Sequence, residues 1–180
     1  RESIAQFSND YFYEGKLKTP SDQTDNSTHV LFYDTAGTGF EEKAGEDGRS
    51  LTNEGELEII QKVIAANNWK ENETGFISPY AGQVQLAKSM LPEGIKVSTI
   101  DSFQGQEMPV IIVSLVRSNQ DGNIGFLKDY RRMNVALTRA KEQLVVIGDS
   151  TTIGLDKFYD QFLKFTETIE GYQSAWEFMT

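Results

Sequence analysis

The chain of 180 residues contains no cysteine and a single histidine, His29. Disulfides, thiolate nucleophiles and cysteine-ligated zinc are excluded, and no histidine cluster is left for a metal, so any metal here must be held by oxygens. No apolar run approaches the roughly 18 residues that span a bilayer, and the opening RESIAQFSND is neither a signal peptide nor a basic transit sequence. A cytoplasmic protein without a membrane partner is expected. A G-x-x-x-x-G-K-[ST] loop is also missing, so the chain cannot cradle the β- and γ-phosphates of a nucleotide or position magnesium through a P-loop hydroxyl. Basic charge is scarce: 17 Lys and Arg against 27 Asp and Glu leave a net charge of -10, the wrong sign for nucleic acid, whose phosphates call for clustered Lys and Arg. The scarcity is local, however. Between Glu41 and Glu73 nine acids face four bases, whereas Lys128 to Lys141 holds five bases and one acid.

What remains is an ordinary globular composition, 38% hydrophobic and 24% charged, in a chain long enough to bury a real core as one domain. Ile4, Phe7, Tyr11 and Phe12 recur at helical spacing before Gly15, which predicts an entry helix with a glycine cap, followed by a polar loop up to residue 28. His29 to Tyr33 reads as a strand ending at Asp34. After a glycine-rich loop, Asn53 with Glu56 forms a capping box for a helix whose apolar face is Leu57, Ile60 and Ile64. A strand over 75–78, a helix over 81–91 and a strand over 96–100 follow. Val110 to Val116 is apolar on both faces, as a buried parallel strand would be. A helix over roughly 129–141, a strand over 143–147, and Leu155, Phe158, Phe162, Phe165 and Ile169 at helical spacing complete the pattern. Alternating strands and helices predict an open α/β fold with a largely parallel sheet, its core over 29–150 and a helical segment over 151–180.

Three loops are expected at the sheet edge where such folds bind ligands. They are SPYAGQ (78–83), TIDSFQGQE (99–107), and VRSN (116–119) running into RRMNVALTRAK (131–141). Arg132 and Arg139 lie seven residues apart, about two helical turns, so both are expected on one helical stripe. A planar guanidinium there suits phosphate oxygens, although a solvated basic helix would show the same pattern. Thr99, Asp101, Ser102 and Gln104 around Gly105 supply short polar groups and a close backbone approach for a phosphate, although ordinary turns use the same residues.

The combination is more specific than its parts. TIDSFQGQE, VRSN and GNIGFLKDYRRMNVALTRAK, in this order and spacing, resemble helicase motifs V and VI of the Upf-like branch of superfamily one. SPYAGQ resembles its motif IV, and FSNDYFYEGKLK the stretch that opens its second RecA-like domain. The resemblance implies a RecA-like α/β domain lacking its own P-loop, one half of an ATP site. It implies that Arg139 is an arginine finger reaching the γ-phosphate, that Tyr80 stacks near the adenine, and that Glu107, with Gly105 beside it, contacts the nucleotide. Thr99 and Ser78 would touch the backbone of a single strand, DNA or RNA, while Gln104 and Arg132 either link the two ligand sites or serve structure. ATP with Mg²⁺ is the implied cofactor, the magnesium ligands lying in a preceding RecA-like domain. The chain opens on Arg1 rather than Met and is expected to be part of a longer protein; alone it should turn over no ATP. The competing reading is a non-hydrolysing RecA-like binding or scaffold module. DTAG at 34–37, a tetrapeptide shared with GTPases, lacks its P-loop and N-K-x-D context and reads as a strand end and turn.

Overall fold

A computed structural model describes residues 3–4, 6–8, 28–45, 50–103 and 105–179. Tyr11, Phe12, Gly15 and the loop expected up to residue 28 lie mostly outside them, as does Gln104. In chain order the elements are β1 (His29–Asp34), an antiparallel pair β2 (Lys43–Ala44) and β3 (Leu51–Thr52), α1 (Glu54–Asn67), β4 (Thr74–Ile77), α2 (Ala81–Met90), β5 (Lys96–Ser98), β6 (Met108–Ser114), α3 (Tyr130–Leu137), β7 (Ala140–Gly148), α4 (Ser150–Ile153), α5 (Lys157–Thr168) and β8 (Tyr172–Ser174). Short 3-10 turns precede β4, follow β5, precede α3 and follow β8. The main sheet runs β5-β4-β6-β7-β1-β8, and every neighbouring pair in it is parallel. No helix among the described residues is long and apolar enough to cross a membrane.

The sequence explains why the centre is parallel and buried. Along β6 and β7 the apolar residues alternate between two cores: Ile111, Val113, Leu144 and Val146 face one side, and Ile112, Val145 and Ile147 the other. The first side is covered by α3, by α5 and by the turn carrying Ile4 and Phe7, whose ring packs 5.6, 5.8 and 5.5 Å from those of Phe158, Phe162 and Phe165. The second is covered by α1 through Leu57, Ile60 and Ile64, by Ala87 of α2, and by Ala175.

Four boundaries depart from expectation. The helix predicted over 129–141 stops at Leu137, because the Thr138 hydroxyl bonds back to the carbonyls of Asn134 and Val135 and because Ala140 already pairs with Met108 in the sheet. The strand predicted over 143–147 therefore starts three residues earlier. The C-terminal stripe is two helices: the chain breaks between Ile153 and Lys157, where Asp156 caps α5 through the N–H groups of Phe158 and Tyr159, and Leu155 is left 78% exposed. The segment expected to be only helical also adds β8 to the sheet edge. DTAG, by contrast, is the strand end and turn that was expected, with Asp34 accepting from the Ala36 and Ser150 N–H groups at 2.9 and 3.0 Å and from the hydroxyls of Ser150 and Tyr172.

Docking of β8 depends on Gly171. Its carbonyl accepts from Phe32 N–H at 2.8 Å and its N–H donates to Thr166 at 2.7 Å. A Cβ at this position would lie 2.1 Å from the Val30 carbonyl oxygen, a backbone atom that cannot rotate away. Gly171→Ala is expected to lower stability by about 1–3 kcal/mol, seen as a lower urea midpoint; an unchanged midpoint would mean that β8 does not dock as described.

Candidate nucleotide and nucleic-acid interface

In a wholly parallel sheet the strand starts share one edge and the strand ends the other, and the residues singled out from sequence divide between them. Met108 opens β6 and Ala140 opens β7, and the two are register partners, with Met108 N–H donating to the Arg139 carbonyl at 3.1 Å. Glu107 and Arg139, each one residue before those strands, therefore sit side by side at the amino edge, and the exposed Gly105 lies two residues before Glu107. Ser78 and Thr99 follow β4 and β5 at the carboxyl edge, where Ser78 N–H donates to Ser98 at 3.3 Å. The expectation that all three loops gather at one ligand edge is corrected: Arg139 and Glu107 occupy the opposite one. Arg139 also lies beyond α3, so it does not share a helical stripe with Arg132.

Arg139 is half-buried and folds back on the end of α3. Its Nε donates to the Val135 carbonyl at 3.0 Å and an Nη to the Thr138 hydroxyl at 3.3 Å, so a cation caps the carbonyl end of the helix, where the dipole favours it. Glu107 is exposed and has no hydrogen bond or ion pair among the described residues. Between the two edges Arg132 grips Asp101 through two bonds, Nε to Oδ1 at 3.3 Å and Nη2 to Oδ2 at 3.2 Å. This pair joins α3 to the 3-10 turn after β5 and lines a groove of about 150 Å³ with Ile100 and Val135. Exposed as it is, the pair adds little stability, on the order of 1 kcal/mol or less.

Tyr80 belongs to the carboxyl edge, away from Arg139 and Glu107. It is 3% exposed, its ring stacked on Phe126 at 5.2 Å and 19°, so an adenine could reach that face only by displacing Phe126. Ser78 is fully buried, its hydroxyl accepting from Tyr80 N–H at 3.3 Å. In this arrangement Thr99, half-exposed, is the member of the pair that reaches the surface.

Sequence reasoning gave Arg117 and Gln83 no individual role and read Glu56 only as part of a helix cap. Arg117 of VRSN is buried, with Nε on Glu42 at 3.0 Å and Nη1 on the Tyr80 hydroxyl at 3.1 Å. Burial alone would lower its pKa, but the bonds to Glu42 and Tyr80 more than reverse this and keep it charged. An arginine directly after an apolar strand was the available signal, since a buried guanidinium requires an acid.

The turn that aims Arg117 is strained. Arg117 N–H bonds the Leu115 carbonyl at 2.7 Å across Val116, whose φ is +71°. A β-branched residue adopts this γ-turn only when its surroundings impose it. The start of α1 imposes it: Glu56 Oε1 accepts from Val116 N–H at 3.1 Å and from the Ser114 hydroxyl at 2.7 Å, while Asn53 Nδ2 donates to the Val116 carbonyl at 3.1 Å. Only half of the expected capping box exists, because Glu56 N–H does donate to Asn53 at 3.2 Å but the N–H of Asn53 goes to Gln83 at 2.8 Å.

The chain belongs to a family described as an AAA domain, whose match spans residues 1–151, and within it to the Upf-like helicases. It is 40% identical to the DNA polymerase alpha-associated DNA helicase A of Saccharomyces cerevisiae over 177 residues, covering 82% of this chain and 26% of the relative. It is 31% identical over 199 residues to the rat (Rattus norvegicus) DNA-binding protein SMUBP-2, covering 99% of this chain and 20% of that protein. Identity is 33% over 184 residues to the Drosophila melanogaster regulator of nonsense transcripts 1 homolog, covering 90% and 16%. The chain thus spans a quarter or less of the length of two of these relatives and 26% of the third.

Glu56 yields a pH prediction. Burial, with a smaller contribution from the charge of Asp149, pushes its pKa from 4.5 up to about 8 against the opposing bonds from Ser114 and Val116. The folded chain then keeps a proton that the unfolded chain releases near 4.5, so folding takes up a proton and stability falls as pH rises between about 4.5 and 8. Glu56→Gln should flatten that slope, gaining on the parent by on the order of a few kcal/mol between the two ends of the window. Urea denaturation across it measures the effect; parallel slopes in the two proteins would contradict a buried, protonated Glu56.

Proposed function

We propose that this chain is the second RecA-like, C-terminal motor domain of an ATP-dependent helicase or translocase, contributing its amino edge to an ATP site and its carboxyl edge to a single strand of nucleic acid. The observation that carries the reading is the shared edge of Glu107 and Arg139, an acid and an arginine brought to neighbouring strand starts by the β6–β7 register. A preceding RecA-like domain would supply the P-loop and complete the cleft. Among the described residues no cluster of three or more His, Asp or Glu side chains could hold a metal ion.

In the nucleotide-bound protein Arg139 would leave the end of α3 and turn its fork to the γ-phosphate. Its present bonds favour that role, because a half-buried side chain held by one carbonyl and one hydroxyl is ordered yet exchangeable. An anion is a better partner than either, since charge-assisted bonds are roughly twice as strong as neutral ones. Arg132 with Asp101 joins the segment at the single-strand edge to α3, which ends two residues before Arg139, a route by which each ligand could sense the other. Tyr80, buried at the other edge, is not part of the nucleotide site in this reading. The relatives' names, a DNA helicase and a DNA-binding protein among them, favour a motor over a scaffold that has lost hydrolysis.

Removing Arg139 tests the reading in the intact protein. Stabilisation of transferring phosphoryl charge acts in the transition state, so Arg139→Ala should lower kcat by about 10³ to 10⁵ while changing ATP affinity little. Arg139→Lys should recover little, because a point charge on a flexible stem does not reproduce the planar fork. Lys88→Ala, on the exposed side of α2, is the control and should hydrolyse normally. Steady-state ATPase, nucleotide affinity and thermal midpoint are measured on each; near-normal turnover by a folded Arg139→Ala protein would reject the finger.

A further inference from the structure

Three large apolar side chains are exposed among the described residues: Phe126 at 58%, Leu155 at 78% and Trp176 at 53%. Phe126 differs from the others in how firmly it is held. Its inner face stacks on Tyr80, and its own N–H donates to the Tyr80 hydroxyl at 3.2 Å. That hydroxyl also accepts from Arg117 at 3.1 Å and donates to the Ile124 carbonyl at 3.3 Å, so its hydrogen-bonding capacity is filled. Arg117 is fixed in turn by Glu42. Gly125, with φ at +48°, lets the chain come this close: a Cβ there would lie 2.1 Å from Arg117 Nη1 and 2.9 Å from the Tyr80 hydroxyl. A buried ion pair, a buried tyrosine and a glycine together hold one phenyl ring with its outer face in water.

An exposed ring normally gains from collapsing inward, by about 1.5–3 kcal/mol when fully buried. Here the backbone and its partner are arranged so that it cannot. The ring stands at the carboxyl edge, since Tyr80 follows β4 beside the contact between Ser78 and Ser98, and the 3-10 turn that carries it, Gly125–Lys128, ends in an exposed cation on a chain of net charge -10. An aromatic face carried on the same turn as a cation matches an unpaired nucleobase and its phosphate. A phosphate alone has no use for a phenyl ring.

We propose that Phe126 is a stacking platform for one unpaired base of the bound single strand, with Tyr80 and Arg117 as the residues that position it. The assignment rests on the reading of the carboxyl edge as the single-strand edge. Stacking accepts any base, so the platform adds affinity and a foothold without sequence preference.

The test is equilibrium binding of the intact protein to short single-stranded DNA and RNA oligonucleotides carrying the fluorescent base 2-aminopurine at successive positions. In the parent protein the reporter should be quenched at one position. Phe126→Ala should abolish that quench and weaken binding about 5- to 150-fold, Phe126→Trp should restore both, and Phe126→Leu should restore neither. Phe126→Leu binding as tightly as the parent would overturn the platform and make the residue an apolar contact, such as one for a neighbouring domain or protein. This comparison of Leu with Trp stays decisive even if the alanine variant fails to fold. Thr99→Glu, which sets a like charge against the strand on the same edge, distinguishes loss of the platform from loss of the edge. Binding lost in Thr99→Glu but intact in Phe126→Ala removes the platform and keeps the edge; binding unchanged in both removes the edge, and the platform with it.

Discussion

At the end of β6 three polar side chains from two helices close on a single strained peptide. Glu56, Asn53 and Gln83 are buried to within 1% exposure; Glu56 and Asn53 hold the Val116 γ-turn from both sides, Gln83 braces Asn53, and Ser114 bridges Glu56 to Gln83. An arrangement of this kind costs strain of order 1–3 kcal/mol and leaves one buried oxygen, Glu56 Oε2, without a partner. What it secures is direction. The chain leaves β6 turned so that Arg117 enters between Glu42 and Tyr80, and so that Ser118 and Asn119 reach Asp149 and Glu42. Without the clamp, the carboxyl edge would be a set of independent loops. With it, Tyr80, Phe126 and the RSN segment form one hydrogen-bonded unit.

The same strand explains why the two proposed ligand sites lie at opposite edges. β6 begins beside Arg139 and ends at the clamp, and its parallel pairing with β7 runs through six register partners from Met108 to Ser114. Glu107 and Arg139 are thereby fixed to one end of the central strands, and Tyr80, Thr99 and Phe126 gather at the other. The segment joining β5 to β6 must cross from the carboxyl to the amino edge, and Asp101 on it is paired to Arg132 on α3. Strand-sized separation with a side-chain tie between the crossing elements is an arrangement in which two ligands can be bound at once and still influence each other.

Much of the fold was legible because the central strands carry apolar residues on both faces and the helices on one. The parallel sheet, α1, α2 and the apolar face of α5 follow from periodicity. What periodicity could not supply was where Thr138 would bond, and an ALTRA segment that looks helical to its end instead turns into β7. The motif residues stand out in the sequence as a group, but their division between edges depends on strand direction and not on spacing. Tyr80 reads in sequence as an open aromatic in a loop; its burial depends on Phe126 and Arg117, both more than 30 residues away. Glu56 looked like half of a capping box because that motif is local, whereas its bonds go 58 and 60 residues along the chain to Ser114 and Val116.

Amide hydrogen exchange on the intact protein, with a non-hydrolysable ATP analogue and a single-stranded oligonucleotide added separately, tests the two-edge arrangement most directly. The nucleotide should slow exchange around residues 105–108 and 138–140, and the oligonucleotide should slow it around 78–80, 99–101 and 126–128. Protection of the same edge by both ligands, or of the carboxyl edge by the nucleotide, would contradict it.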